Sequence, residues 1–242
     1  MSDSNLGVFC YNRVMKNFRK ILLLALSVFL CIEWGVLTPE RAKYGIACGD
    51  FFVKEIVLTF DDGPRESGTQ EILEVLNKYN VKATFFVVGK FADRYSQFTK
   101  LLHESGQEIA NHSFTHPRLY KLWVEKIMRE AERCDEVLES LNIPKTRFLR
   151  PPGGGFNIKI FNAMRRMNLK LGLWNINTAD YTDRPKSEIV NLVLKSAKPG
   201  AIILMHNGMP NTVEALPEII EGLHAKGYTF VRLRDLWDHG MI

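Results

Sequence analysis

The sequence predicts an α/β domain built on a mostly parallel sheet, and three observations carry that expectation. From Glu55 onward, short β-branched or aromatic runs alternate with amphipathic stretches. Parallel neighbours need such an order, because each strand must be joined to the next by a crossover. The length of 242 residues suits one large domain with a core that needs no staples. A composition 46% hydrophobic and 24% charged sets aside disordered, collagen-like and disulfide-scaffold classes.

The amino-terminal stretch reads as a membrane anchor. Residues 1–20 carry Arg13, Lys16, Arg19 and Lys20 against Asp3, and the uncharged run ILLLALSVFLCI follows from Ile21 to Ile32. After Glu33, Trp34-Gly35-Val36-Leu37 extend the apolar character to residue 37. The segment 21–37 thus has about the 17 residues that mark the short end of a spanning helix, with Trp34 placed as an interfacial anchor. Cations before the run and none within it predict a cytoplasmic amino terminus and a single-pass arrangement with an exported body. No small-x-small cleavage site follows, so an uncleaved signal anchor is preferred to secretion after cleavage. Residues 38–54 mix Pro, Gly and charges without periodicity and read as a linker into a domain spanning 55–242.

Within that domain the strand candidates are Glu55–Phe60, Lys82–Val88, Glu108–Ala110, Arg147–Arg150, Lys170–Asn175, Ala201–Met205 and Tyr228–Leu233. Thr69 is placed to cap a helix whose Ile72, Leu73, Leu76 and Tyr79 form an apolar stripe. Phe91–Glu104 supplies the next helix. From Trp123 to Leu141, apolar residues Ile127, Ala131, Cys134, Val137, Leu138 and Leu141 recur at three- and four-residue steps. Ile158–Met167, Lys186–Ser196 and Thr212–Lys226 complete the set, the last stopped by Gly227. Seven such units suit an open sheet or a closed barrel, and periodicity leaves both open.

Charge and cysteine usage narrow the function classes. The first twenty residues account for +3 of the net +5, and 55–242 keeps only +2, too little for the basic stripe that phosphate-backbone binding requires. Nucleic acid is therefore not an expected partner. Of Cys10, Cys31, Cys48 and Cys134, an exported body keeps the last two, which could form one disulfide. No CxxC spacing supports a thiolate metal site.

Parallel α/β folds carry reacting groups at the carboxyl ends of their strands, and here nearly every strand runs into reactive residue types. The first ends in Asp61-Asp62-Gly63-Pro64 and the third in Asn111-His112-Ser113-Phe114-Thr115-His116. The fourth runs into Arg150-Pro151-Pro152-Gly153, the fifth into Asn177-Thr178-Ala179-Asp180, and the sixth into His206. Taken singly, Asp-Asp-Gly-Pro is a turn sequence, and a lone histidine after an apolar strand is ordinary. Together they would crowd one rim. Two histidines and a carboxylate with an open position make a zinc-type catalytic site, and Co²⁺ or Ni²⁺ would also be accommodated. A spare Asp would serve as base and His206 as a separate acid, the parts that acyl hydrolysis needs.

Thr59-Phe60-Asp61-Asp62-Gly63-Pro64, His112-x-x-x-His116, Arg150-Pro151-Pro152-Gly153, Asp180 and Leu204-Met205-His206 occur in this order. They resemble the successive motifs of polysaccharide deacetylases, the NodB-homology domain of carbohydrate esterase family 4, over roughly 55–236. The resemblance implies a distorted (β/α)7 barrel and metal-dependent removal of acetyl groups from a glycan, usually from N-acetylglucosamine units. It also implies Asp62, His112 and His116 as metal ligands, Asp61 as general base and Arg150 as its orienting partner. His206 would be the general acid, with Asp180 holding its imidazole, and the Gly153 backbone N–H would be the oxyanion donor.

Four positions depart from the family pattern. Gly153 stands where an aromatic residue is common, which keeps the backbone donor and removes a wall of the acetyl pocket. Asn177 and Tyr181 replace the usual Asp and Trp at the ends of the fourth motif, and Ile203 replaces Leu in the last. The expected substrate is an extracytoplasmic glycan, peptidoglycan or a chitin-like polymer. The rival readings are O-deacetylation of acetylated xylan and a non-catalytic glycan-binding module.

Overall fold

Apolar residues on both faces of Glu55–Gly63 explain the architecture, because a strand buried on both sides belongs inside a parallel sheet covered by helices. The structure, a computed structural model, describes residues 45–50 and 52–239. The predicted anchor at 21–37 and its basic leader lie outside the described residues. Among the described residues no helix is long and apolar enough to cross a membrane.

Among the described residues nine strands form one sheet: β1 (Gly45–Ile46), β2 (Glu55–Gly63), β3 (Thr84–Val87), β4 (Glu108–Asn111), β5 (Phe148–Leu149), β6 (Lys170–Gly172), β7 (Ile176–Asn177), β8 (Ala201–His206) and β9 (Thr229–Phe230). The order is β1-β6-β5-β4-β3-β2-β8-β7, with β9 also on β2, and every pairing is parallel. The helices are α1 (Thr69–Lys78), α2 (Gly89–Arg94), α3 (Ser96–Glu104), α4 (Val124–Ser140), α5 (Ile158–Met167), α6 (Lys186–Ser196), α7 (Pro210–Ala225) and α8 (Leu233–His239).

The expected strand Lys170–Asn175 is divided, and its two parts lie toward opposite ends of the sheet. Its first part, β6, pairs with β5, while β7, three residues further on, pairs with β8 at the opposite end of the strand order. Leu173 N donates to Ile46 O and Asn175 N to Ile202 O, so the break spends its backbone groups on both sides. The result is a curled parallel sheet with helices, in keeping with a distorted (β/α)7 barrel.

Strand periodicity of two sorts the side chains into two layers. Ile56, Leu58 and Phe60 join Ile203 and Met205 in a core shared with α1 and α7. Val57, Phe86, Ala110, Phe148 and Ile202 face inward and meet Leu233, Leu236 and Trp237 of α8, which plug the interior from the amino-terminal end of the strands. Continuing the inward parity along each strand leads to Thr59 and Asp61, His112, Arg150, and His206. The barrel interior therefore aims the reactive residues at one rim.

Four local expectations are corrected. Residues 45–50, read as linker, belong to the fold: Gly45–Ile46 pairs with β6, and Gly49 N donates to Gly200 O (2.8 Å). Thr69 is not the cap of α1; Gly68 takes that position at φ 89°, and the Thr69 hydroxyl instead accepts from Arg65 N and contacts Asn207 Oδ1. Phe91–Glu104 is two helices, divided at Tyr95 (φ −114°, ψ 46°). Tyr228–Leu233 shortens to β9, because Leu233, Leu236 and Trp237 at helical spacing fill the interior. Cys48 and Cys134 are both free thiols.

Candidate active site

Adjacent residues of a strand face opposite sides, so Asp61 and Asp62 could not share the rim if β2 were regular. Register slips between Asp61 and Gly63 against β3, leaving Asp62 as the extra residue of a bulge at φ 68°. Aspartate tolerates this left-handed conformation better than most side chains. The bulge is what turns the second carboxylate toward the histidines.

Asp62 Oδ1 lies 2.9 Å from His116 Nε2 and 3.4 Å from His112 Nε2, and the three ligand-capable atoms fall within 4.8 Å of one another. The buried Oδ1 has no aligned hydrogen-bond donor despite these neighbours. His112 Nδ1 sits 2.7 Å from the Arg150 carbonyl, and donation to that carbonyl leaves Nε2 with its lone pair directed at the cluster. Burial works to raise the Asp62 pKa, but the two imidazoles more than offset it and hold the carboxyl well below the usual range. An orphaned carboxylate oxygen facing two imidazole nitrogens is a donor set that fits a divalent cation.

The loop between the histidines is held from α4. Ser113 and His116 both have positive φ (65° and 63°), conformations that a short turn must be made to keep. Glu130 Oε2 accepts from Phe114 N (3.1 Å) and Thr115 N (2.8 Å), while its Oε1 accepts from the Thr115 hydroxyl (2.8 Å). One turn further along α4, Asp135 Oδ1 accepts from Asn111 Nδ2, and Asn111 Oδ1 accepts from Ser113 N.

Asp61 is buried at the centre of the rim. Its Oδ1 accepts from Arg150 Nη1 at 2.7 Å, and its Oδ2 stands 3.7 Å from His112 Nε2. The Arg150 side chain is fully buried, with Nε donating to Gly172 O, Nη2 to Leu173 O and Nη1 also to the Thr59 hydroxyl. Its guanidinium lies 3.9 Å from the Phe86 ring centroid. Burial pulls its pKa down, and the Asp61 charge and hydrogen bond act against that pull.

Across the rim, His206 lies in register with Asp61 on the neighbouring strand. Its Nδ1 is 2.7 Å from Asp180 Oδ1, while Asp180 Oδ2 accepts from both His206 N and the Thr212 hydroxyl. Burial works to lower the His206 pKa, but Asp180 overcomes it and raises the value above the ordinary imidazole range. Asp180 moves oppositely: burial favours its neutral form, and the His206 hydrogen bond lowers its pKa. Tyr181 stands edge-on to the His206 ring at 5.1 Å between centroids.

Gly153 begins the far wall at φ 70°, and a Cβ built there would meet nothing within 4 Å. Gly154, also at φ 70°, is pressed against Trp174, 2.3 Å from where its Cβ would be. The wall expected to be missing at Gly153 is open space.

The structure thus brings together Asp61, Asp62, His112, His116 and Arg150, with His206 in register on the neighbouring strand and Asp180, from the turn at Asp180–Thr182, hydrogen-bonded to it. The sequence alone assigns no role to Thr59, Glu130, Asn111 or Thr212. Thr59 was visible as one polar residue in an apolar strand; Glu130 looks like any solvated helical glutamate until its loop is placed.

The chain matches the polysaccharide deacetylase family over residues 50–172. It is 34% identical over 183 residues to the peptidoglycan-N-acetylmuramic acid deacetylase PdaC of Bacillus subtilis, covering 76% of this chain and 38% of that protein's length. Among solved structures, the Bc1960 peptidoglycan N-acetylglucosamine deacetylase superposes with a TM-score of 0.77 at 32% identity, covering 79% of this chain and 92% of the other. BA3943, a CE4 family pseudoenzyme from Bacillus anthracis, superposes with a TM-score of 0.75 at 28% identity, over 84% of this chain and 71% of the other.

Proposed function

Because the chain belongs to the polysaccharide deacetylase family, we propose that its rim hydrolyses the N-acetyl groups of N-acetylglucosamine-type residues in an extracytoplasmic glycan, peptidoglycan in the first instance. The observation that carries this reading is the convergence of Asp62, His112 and His116 on one point beside a second carboxylate already held by a buried arginine.

Asp62, His112 and His116 would hold a divalent ion, Zn²⁺ by donor type, with Co²⁺ or Ni²⁺ also accommodated. When bound, such an ion polarises the acetamide carbonyl and makes water a better nucleophile. Asp61, fixed by Arg150, takes the proton of the attacking water as its oxygen bonds to the carbonyl carbon. The Gly153 backbone N–H donates to the developing oxyanion, an interaction typically worth about 2.7–4 kcal/mol. His206, kept protonated by Asp180, gives its proton to the departing amine as the C–N bond breaks. Acetate and a free amino sugar result.

A non-catalytic glycan-binding role is the second reading, since one of the similar folds is a pseudoenzyme. All eight positions expected of a working site are present here, which favours turnover. Placement outside the cytoplasm rests on the basic leader and apolar run of residues 1–37.

Acetate release by the full-length chain from purified peptidoglycan, with and without a chelator, tests the proposal. Chelator-sensitive release supports it. Release from acetylated xylan alone would transfer the assignment to O-deacetylation, and glycan binding without release under saturating Zn²⁺ would make it a binding module.

A further inference from the structure

Four of the seven large apolar side chains exposed among the described residues, Trp123, Phe156, Ile158 and Tyr181, follow His116, Gly153 or Asp180 closely along the chain. Tyr181 belongs to the site already described. The other three form a separate surface, and Trp123 is its anomaly. It occupies the N-cap position of α4, where Ser, Thr, Asp or Asn would accept a helix N–H, and its side chain makes no capping bond. The residue is 72% exposed, so it does not fill the core either. A residue without a capping bond also opens α2, α3, α6 and α7, so it is the exposure of so large an apolar side chain that sets Trp123 apart and points to a binding role.

The loops bearing these side chains are tied together. Asn157 Nδ2 donates to the Tyr120 carbonyl at 2.9 Å, and Gly155 packs so near the Tyr120 ring that a Cβ would stand 2.7 Å from it. The Lys159 ammonium lies 5.1 Å from the Trp123 ring centroid. Phe156, half-exposed, precedes the Asn157 cap of α5, and Ile158 opens that helix at 69% exposure. Only two residues separate Gly153 from Phe156, at most about 11 Å of chain between their Cα atoms. The apolar surface therefore starts beside the proposed oxyanion donor and runs outward.

We infer that Trp123, Phe156 and Ile158 form a subsite for a sugar ring of the same glycan strand, beyond the residue whose acetamide lies at the rim. This inference rests on the deacetylase reading. A pyranose presents apolar C–H faces with hydroxyls at its edge. An exposed aromatic ring covers such a face without needing a hydrogen bond, and Lys159 at the margin can meet the edge. An occupant that begins at the reaction centre and continues past Gly153 is a strand, so activity depends on chain length.

Trp123→Ser separates this role from a structural one, because serine at the N-cap should stabilise α4 while removing the platform. Acetate release by the full-length chain is measured on the fully N-acetylated chitin dimer and pentamer, together with pentamer binding by chelator-treated protein and thermal unfolding. The expected result is a Tm equal to or above wild type, unchanged kcat/KM on the dimer, and about a two- to tenfold loss on the pentamer. Trp123→Tyr should restore most of that loss. Pentamer turnover and binding equal to wild type would overturn the inference, as would weakened attachment to lipid vesicles with pentamer binding intact. No acetate from either oligomer, with pentamer binding still weakened by Trp123→Ser, would refute the deacetylase reading and leave the subsite standing.

Discussion

The two sides of the rim are built on opposite principles. On one side, His206 and Asp180 form a dyad in which every polar atom of the carboxylate is used, and the imidazole stands at the end of a regular strand. On the other, Asp62 sits on a bulge, His116 at positive φ, and the oxygen they converge on has no aligned donor. The first side is complete within the protein. The second is complete only when something outside the protein supplies the missing partner, and the chain spends neighbouring hydrogen bonds from α4 to keep it open. Each side can be broken separately, and the results should differ in kind.

The largest effect is expected from removing a ligand. Asp62→Ala or His112→Ala should abolish both metal uptake, read by elemental analysis after dialysis, and acetate release. A variant that releases acetate at wild-type rate with no metal bound would end the assignment. Asp61→Asn should act differently, since Asp61 is held by Arg150 and stands 3.7 Å from His112 Nε2. Metal content should stay near wild type while turnover falls by roughly 10²–10⁴, the scale of a positioned acid or base. Equal loss of metal in both variants would erase the distinction between ligand and base.

On the complete side, the sign of the pH dependence is fixed by the dyad. Asp180 raises the His206 pKa against the effect of burial, so the imidazole keeps its proton to higher pH than a free histidine. Asp180→Asn removes that charge, the folded pKa of His206 falls, and the alkaline limb of kcat/KM should move to lower pH. The deficit relative to wild type should be smallest in acid, where the imidazole is still protonated, and should widen as pH rises. An unmoved limb would mean that His206 is not the group whose protonation limits the reaction.

Much of this was legible from residue order alone. Five reactive clusters after five strands give the rim, and strand parity puts Val57, Thr59 and Asp61 on one face. What could not be read was how Asp62 reaches the same place as Asp61. That depends on a one-residue slip against β3, and a bulge leaves no trace in hydrophobic alternation. The division of the strand after Gly172 escaped for a related reason: Lys170 to Asn175 reads as one strand, and only its two sets of partners separate it. The helix at Leu233–His239 was hidden because its interior-plugging residues follow directly on a β-type run.

Glu130 gives the mildest test and sharpens the contrast. Its carboxylate touches no reactive atom; it holds the backbone of Phe114 and Thr115, between the two histidines, at 3.1 and 2.8 Å. The cost of releasing that loop falls on the open side of the rim alone, because the His206–Asp180 dyad shares no hydrogen bond with it. Glu130→Ala should therefore weaken metal affinity by about 10–100-fold, the usual consequence of losing a group that orients ligands, and saturating metal should recover most of the activity. The alkaline limb set by His206 should stay where it is. Glu130→Gln keeps one acceptor oxygen and should fall between the two, as read by competition with a metallochromic chelator. Lost turnover that excess metal does not restore would show that α4 supports more than the metal-binding loop, and the two sides of the rim would then be one cooperative unit.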